Sequence, residues 1–192
     1  MSFSYGDVAP GHALHGPYHD REYGFPVRSE KALFERLALE INQAGLSWST
    51  ILSKREAFRC AFDGFDPEVV ARYGALERRR LLRDRGIIRN RMKIGAVIAN
   101  AKAIVAMRET HRSFAGWLDA HYPRSPDRWR RLFRETFRFT VGEIVREFLL
   151  STGYLPGAHR ASCPVTKRIA RATGNSRSRP SPPGRSRQTG RT

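Results

Sequence analysis

The sequence is short of cysteine, of acid and of long apolar runs, and each shortage excludes something. Its 192 residues hold two cysteines, Cys60 and Cys163. Two cannot make a disulfide framework, so a reducing, cytoplasmic setting is expected. Asp and Glu number 18 against 35 Lys and Arg, a net charge of +17. That imbalance argues against cationic partners and favours a polyanion, nucleic acid before membrane; the alternative is a basic solvated surface. The most apolar stretch, around residues 94–107, is interrupted by Asn100 and Lys102, so no membrane span is expected. No charged start leads into an apolar run, so no signal peptide is expected. No segment alternates in strand period and none repeats.

Helical periodicity fills the space these absences leave. In 33–48, LFERLALEINQAGLSW, residues Leu33, Phe34, Leu37, Ala38 and Ile41 recur at helical spacing. Ser29 precedes them as an N-cap and Gly45 stands where the helix should stop. Glu40 is the anomaly, because it projects with the apolar stripe or along its edge. An unpaired buried carboxylate costs several kcal/mol or shifts its pKa, so Glu40 needs donors or a ligand. The pattern leaves two readings open: a binding carboxylate beside the aromatic Trp48, or an ion pair with an arginine and a core tryptophan.

Further helices are expected over 49–62, 66–73, 76–85, 89–109, 114–121, 129–135 and 142–152. Asp66 before Pro67 is a start signal, and Gly86 closes the basic helix 76–85. Residues 1–28 show no helical period and read as an arm rich in His and Tyr, packing near the C-terminal end. From 168 the composition turns to Arg, Ser, Gly and Pro with little to bury, so residues 1–167 form one domain and 168–192 a disordered basic tail. Lys167, Arg168, Arg171, Arg177, Arg179, Arg185, Arg187 and Arg191 carry much of the positive charge there.

YHDREYG (18–24), LEINQAGLSW (39–48), FDPEVVA (65–71), GIIRNRMKI (86–94) and a late His159-x-x-x-Cys163 occur in this order. Over about 15–165 the sequence resembles the 3-methyladenine-DNA glycosylase I family. The resemblance implies an all-α fold of the helix-hairpin-helix DNA glycosylase superfamily. It implies a monofunctional enzyme that flips 3-methyladenine out of alkylated double-stranded DNA and hydrolyses its glycosidic bond; a monomer is expected. Glu40 and Tyr18 match the family's base-recognition residues and Trp48 its stacking surface; Tyr23 stands where relatives often carry Trp. By position, Gln43 or Leu46 could fill the gap left in the base stack. These roles suit the chemistry. A cationic base stacks on a π-face, a carboxylate prefers it to neutral adenine, and the charged base already leaves easily.

Lys54 and Lys93 are the nearby lysines that a lyase reaction would need, with no sequence mark of desolvation on either. Residues 151–157 lack the Asp that other superfamily branches use. The hairpin is expected at 136–142, TFRFTVG, where Thr136 replaces the usual Gly, Arg138 keeps a cation and Gly142 opens the next helix. Residues 86–93 are the alternative hairpin. Rival functions are a glycosylase of the same fold with a shifted lesion preference, and a DNA module that binds lesions without excising them.

The resemblance also implies a structural zinc held by an early Cys, the His of YHD, and a late His and Cys. His19, His159 and Cys163 match three of these. Residues 4–7 read Ser-Tyr-Gly-Asp, so the early Cys is missing. Asp7, His12, His15 or water could complete the set; otherwise the metal is lost and the three residues serve as hydrogen-bond partners.

Overall fold

The computed structural model describes residues 11–176, which form helices joined by short turns, with no strand among them. In chain order the helices are α1 (His15–Arg21), α2 (Glu30–Gln43), α3 (Trp48–Ser53), α4 (Arg55–Ala61), α5 (Pro67–Ala71), α6 (Ala75–Arg83), α7 (Arg91–His111), α8 (Phe114–His121), α9 (Pro126–Thr136), α10 (Gly142–Ser151) and α11 (Pro164–Ser176). Among the described residues no helix is long and apolar enough to cross a membrane.

α2 is the axis. Ser29 accepts from the Ala32 N–H as its N-cap, and Leu33, Phe34, Leu37, Leu39 and Ile41 have no exposure. Each such side chain contributes roughly 1.5–3 kcal/mol by leaving water. α7, α8 and α10 close around this helix with Val97, Ile98, Ala101, Phe114 and Phe148. The Glu30 carboxylate accepts from Arg108 and from the Phe114 N–H, tying the start of α2 to the end of α7 and the start of α8.

Several boundaries differ from the sequence expectation for local reasons. The arm is not free of helix: α1 forms there, and the His12 ring accepts from the backbone N–H groups of Leu14 and His15 in place of an ordinary cap. The helix expected over 49–62 breaks at Lys54 (φ −101°, ψ 1°), whose ammonium donates to the carbonyls of Arg85 and Gly86. α9 begins at Pro126 because Ser125 caps it. The tail expected from 168 does not begin there, since α11 continues to Ser176. Val165 is buried, Ile169 lies against Gly24, and Arg168 donates to the Asp20 carbonyl. Residues 177–192 lie outside the described residues.

Candidate active site

α2 ends at Gln43 because Ala44 (φ −48°, ψ 116°) and Gly45 (φ +80°) make a type II turn, closed by the Leu46 N–H on the Gln43 carbonyl at 2.7 Å. No atom would crowd a Cβ at Gly45, so the glycine is needed for its φ alone. Ser47 then caps α3 by accepting from the Thr50 N–H, which starts the helix at Trp48. The turn is braced from α7: the Lys93 ammonium donates to the carbonyls of Asn42 (2.8 Å) and Ala44 (2.6 Å). Lys93 is therefore buried, and burial lowers its pKa, a desolvation that the sequence did not reveal.

Glu40 is 3% exposed, on the face of α2 that meets α10. Among the described residues no hydrogen bond or ion pair reaches its carboxylate, so the arginine-paired reading of Glu40 fails. Burial pushes its pKa up to about 8, helped by the charges of Glu147 and Glu143 and opposed by that of Arg36.

Three aromatic rings gather on this side of α2. Tyr18 and Tyr23 are buried, with ring centres 5.9 Å apart, and Trp48 lies 5.3 Å from Tyr18 at 57°. Trp48 is partly buried and packs on both the main core and the smaller cluster of Tyr18, Tyr23, Leu52 and Leu150. Burial raises the pKa of both phenols, and the Glu40 charge adds to the rise.

The polar partners of this pocket were not legible in the sequence. Arg36, one helical turn before Glu40, donates to the Tyr18 hydroxyl at 2.6 Å. Tyr23 donates to Glu147 of α10 at 2.9 Å. Glu22 accepts from Arg36 and Arg55, and Arg55 and Arg59 both donate to Glu35. The available clue was Arg36 itself, a second charge on the stripe that carries Glu40.

His19, His159 and Cys163 come together. The His19 Nε2 lies 3.1 Å from the His159 Nδ1, and the Cys163 Sγ lies 3.8 and 3.6 Å from these two atoms. Donors on a tetrahedral zinc, bound at about 2.0–2.3 Å, stand at roughly such separations. The far nitrogen of each ring is also partnered, His19 Nδ1 with Asp20 at 2.7 Å and His159 Nε2 with the Tyr23 carbonyl at 2.7 Å. That is how metal-binding imidazoles are oriented, and the residues present fit the ion. Neither proposed histidine supplies a fourth ligand: His12 caps α1, and His15 bonds Ser49 at 2.7 Å. Asp7 lies outside the described residues.

Of the residues expected at the nucleic acid, Leu46 is 40% exposed on the turn and Gln43 is partly exposed. Arg138 is exposed in the 136–142 connection, whose backbone is pinned by Asn100: its Oδ1 accepts from the Arg138 N–H and its Nδ2 donates to the Arg138 carbonyl. Thr136, read as standing in for a turn glycine, is the last residue of α9; the left-handed position falls on Phe139 (φ +60°). At Gly142 an added Cβ would meet the Arg130 side chain at 3.2 Å. α10 begins without a side-chain cap, whereas Asn90 already caps α7 at the alternative hairpin.

The site thus sets a buried carboxylate with no described partner near a cluster of three aromatic rings in an all-helical body. Residues 9–135 match the family described as methyladenine glycosylase, and the chain belongs to that family. It is 46% identical over 105 residues to DNA-3-methyladenine glycosylase 1 of Escherichia coli and 44% identical over 101 residues to DNA-3-methyladenine glycosylase of Haemophilus influenzae. These alignments span 55% and 53% of this chain, and 56% and 55% of the respective relatives. The structure also resembles 3-methyladenine DNA glycosylase I from Staphylococcus aureus, solved to explain 3-methyladenine recognition. The identity is 30% and the TM-score 0.76, over 85% of this chain and 97% of that one.

Proposed function

We propose that this protein is a DNA glycosylase that removes 3-methyladenine from alkylated double-stranded DNA by hydrolysis, working as a monomer. The carrying observation is Glu40: a carboxylate at 3% exposure with no described protein partner, within electrostatic reach of Tyr18 and Tyr23, whose rings cluster with that of Trp48. A buried carboxylate left in this state is costly until a ligand supplies donors and positive charge. Protein-bound 3-methyladenine in its nucleotide form supplies both, through its amino group and its cationic ring. Neutral adenine supplies only the first. Trp48 offers the π-face on which a cationic ring is attracted, and Tyr18 adds a polar contact.

Flipping brings the lesion into this pocket, and Leu46 or Gln43 takes its place in the stack, as apolar and amide wedges do in other DNA proteins. The uncapped start of α10, flanked by Arg138 and Arg130, receives a phosphate on its free N–H groups. Water then attacks the sugar C1′ as the bond to the base breaks; the base leaves neutral with the bonding electron pair, and the attacking water gives up a proton to solvent. The reaction stops at the abasic site, because the ammonium groups of Lys54 and Lys93 are each committed to two carbonyls.

The test is release of free bases from DNA treated with a methylating agent. Wild type should release 3-methyladenine, and Trp48→Ala should slow release about 10-fold or more, since base–aromatic stacking is worth roughly 1–3 kcal/mol. Release of a different base would overturn the substrate; tight binding of damaged DNA with no release would make the protein a reader.

A zinc ion on His19, His159 and Cys163 would have a structural role in this scheme. His19 lies between Tyr18 and Tyr23, and His159 bonds the Tyr23 carbonyl, so the ion would brace α1, which carries Tyr18, and the turn after it, which carries Tyr23. Purified protein should contain close to one equivalent of zinc, and stripping it, or His159→Ala, should lower the melting temperature. Metal-free protein that melts at the same temperature as the purified form would sink this role.

A further inference from the structure

Arg36 is 4% exposed and sits one turn before Glu40 on α2. A guanidinium buried that deeply is retained only where its donors are satisfied. One of its nitrogens donates to the Tyr18 hydroxyl at 2.6 Å and another to Glu22 at 2.6 Å, while its carbon lies 4.5 Å over the Tyr18 ring. No ion pair joins it to Glu40, although a separation of four residues puts both on one face of the helix. It is therefore committed to the phenol and to Glu22, and acts on Glu40 through space.

We propose that Arg36 is a positioning residue for base recognition, fixing the Tyr18 hydroxyl beside the pocket and setting the positive charge that opposes the pocket's carboxylates. This rests on the reading of the pocket given above. The charges that act on Glu40 are those of Arg36 on α2 and of Glu143 and Glu147 on α10; its own charge reaches Tyr18 on α1 and Tyr23 in the turn that follows, and Glu22 and Arg55 act on Tyr18. Both α10 carboxylates push Glu40 toward its neutral form, and Arg36 is the cation that acts directly against them. A neutral Glu40 does not distinguish the methylated cation from adenine. Arg36 therefore determines at what pH the pocket becomes selective.

The experiment is the pH dependence of single-turnover 3-methyladenine release, from pH 5.5 to 9.5, with melting curves as a check on folding. The expected wild-type profile rises with pH as Glu40 ionises. Arg36→Gln keeps a donor for Tyr18 but removes the charge, and its acid limb should move up by about one pH unit or more, the size of shift that a close opposite charge produces. Arg36→Met serves as a second charge-free variant and should behave alike. Arg36→Lys keeps the charge and should keep the limb where it is, while losing rate through a poorer hold on Tyr18. A uniform loss of rate with an unmoved limb in the charge-free variants, or an equal shift in Arg36→Lys, would overturn the proposal. A wild type that releases no 3-methyladenine would instead overturn the reading of the site.

Discussion

Glu40→Gln should abolish most base release and make the protein more stable. Both effects have one cause. With Glu40 ionised, the carboxylate accepts charge-assisted hydrogen bonds from a cationic base, each worth roughly 1.5–3 kcal/mol. Gln keeps one acceptor and loses the charge, so release should fall about 100-fold, equivalent to roughly 2.7 kcal/mol of barrier. The effect on stability has the opposite sign. The pKa of Glu40 is raised from 4.5 in the unfolded chain to about 8 in the folded one. The native state then holds a proton that the unfolded state releases, and wild-type stability falls as pH rises from about 4.5 to about 8. Complete ionisation could remove up to about 5 kcal/mol by this linkage. Gln does not titrate, and leaving its amide poorly paired costs part of the gain, about 1–3 kcal/mol. Near pH 5, where the wild type has lost little by linkage, the variant should melt no higher than wild type; by pH 9 it should melt several degrees higher. Equal melting temperatures at pH 9 would mean that Glu40 is paired after all. Such a penalty for a binding group is the usual trade of stability against function.

How much of this could be read from the chain follows from which interactions are local. The period of 33–41, the Ser29 cap, the Gly45 stop and the Asp66-Pro67 start are each decided within a turn of helix, and all four stand in the structure. Glu40 was legible because a charge on an apolar stripe breaks a local pattern. His19 and His159 were brought forward by resemblance, and no spacing argument could have placed their nitrogens 3.1 Å apart. What escaped was non-local or used an uncommon donor or acceptor. α1 is capped by an imidazole rather than by Ser or Asp. Lys93 is buried because it reaches carbonyls about fifty positions earlier in the chain. Glu147 reads as a second charge after Arg146 on α10 and gives no sign of its bond to Tyr23. α11 lies in a composition that reads as disordered, and it is held by contacts with Asp20 and Gly24 near the other end of the chain.

Removing Arg55 should cost more stability than removing any other surface-proximal cation. Its side chain is 14% exposed and joins two carboxylates that belong to different parts of the fold. It donates to Glu22 at 2.7 and 2.8 Å and to Glu35 of α2 at 2.6 Å. Arg55→Met keeps much of the apolar volume but leaves Glu22 with Arg36, and Glu35 with Arg59. Each carboxylate keeps one guanidinium, so the cost stays below that of a stranded buried charge and is about 1–3 kcal/mol, the scale of lost charge-assisted hydrogen bonds. For a chain of this length that is a fall in melting temperature of roughly 2–12 °C. The pH dependence identifies the cause. Burial pushes Glu22 up, but the Arg55 hydrogen bonds and the charges of Arg36, Arg55 and Arg59 prevail, and its pKa is lowered below 4.5 in the folded protein. A depressed carboxylate stabilises above its unfolded pKa, and that contribution disappears as pH falls through the folded value. The difference between wild type and Arg55→Met should therefore be full at pH 7 and narrow below about pH 4.5. A gap that stays constant down to pH 3 would assign the loss to packing. Because Glu22 also holds Arg36, and Arg36 holds the Tyr18 hydroxyl, a variant that survives at low temperature should still release base more slowly. The ion cluster and the recognition pocket are thus one connected structure, anchored on α2.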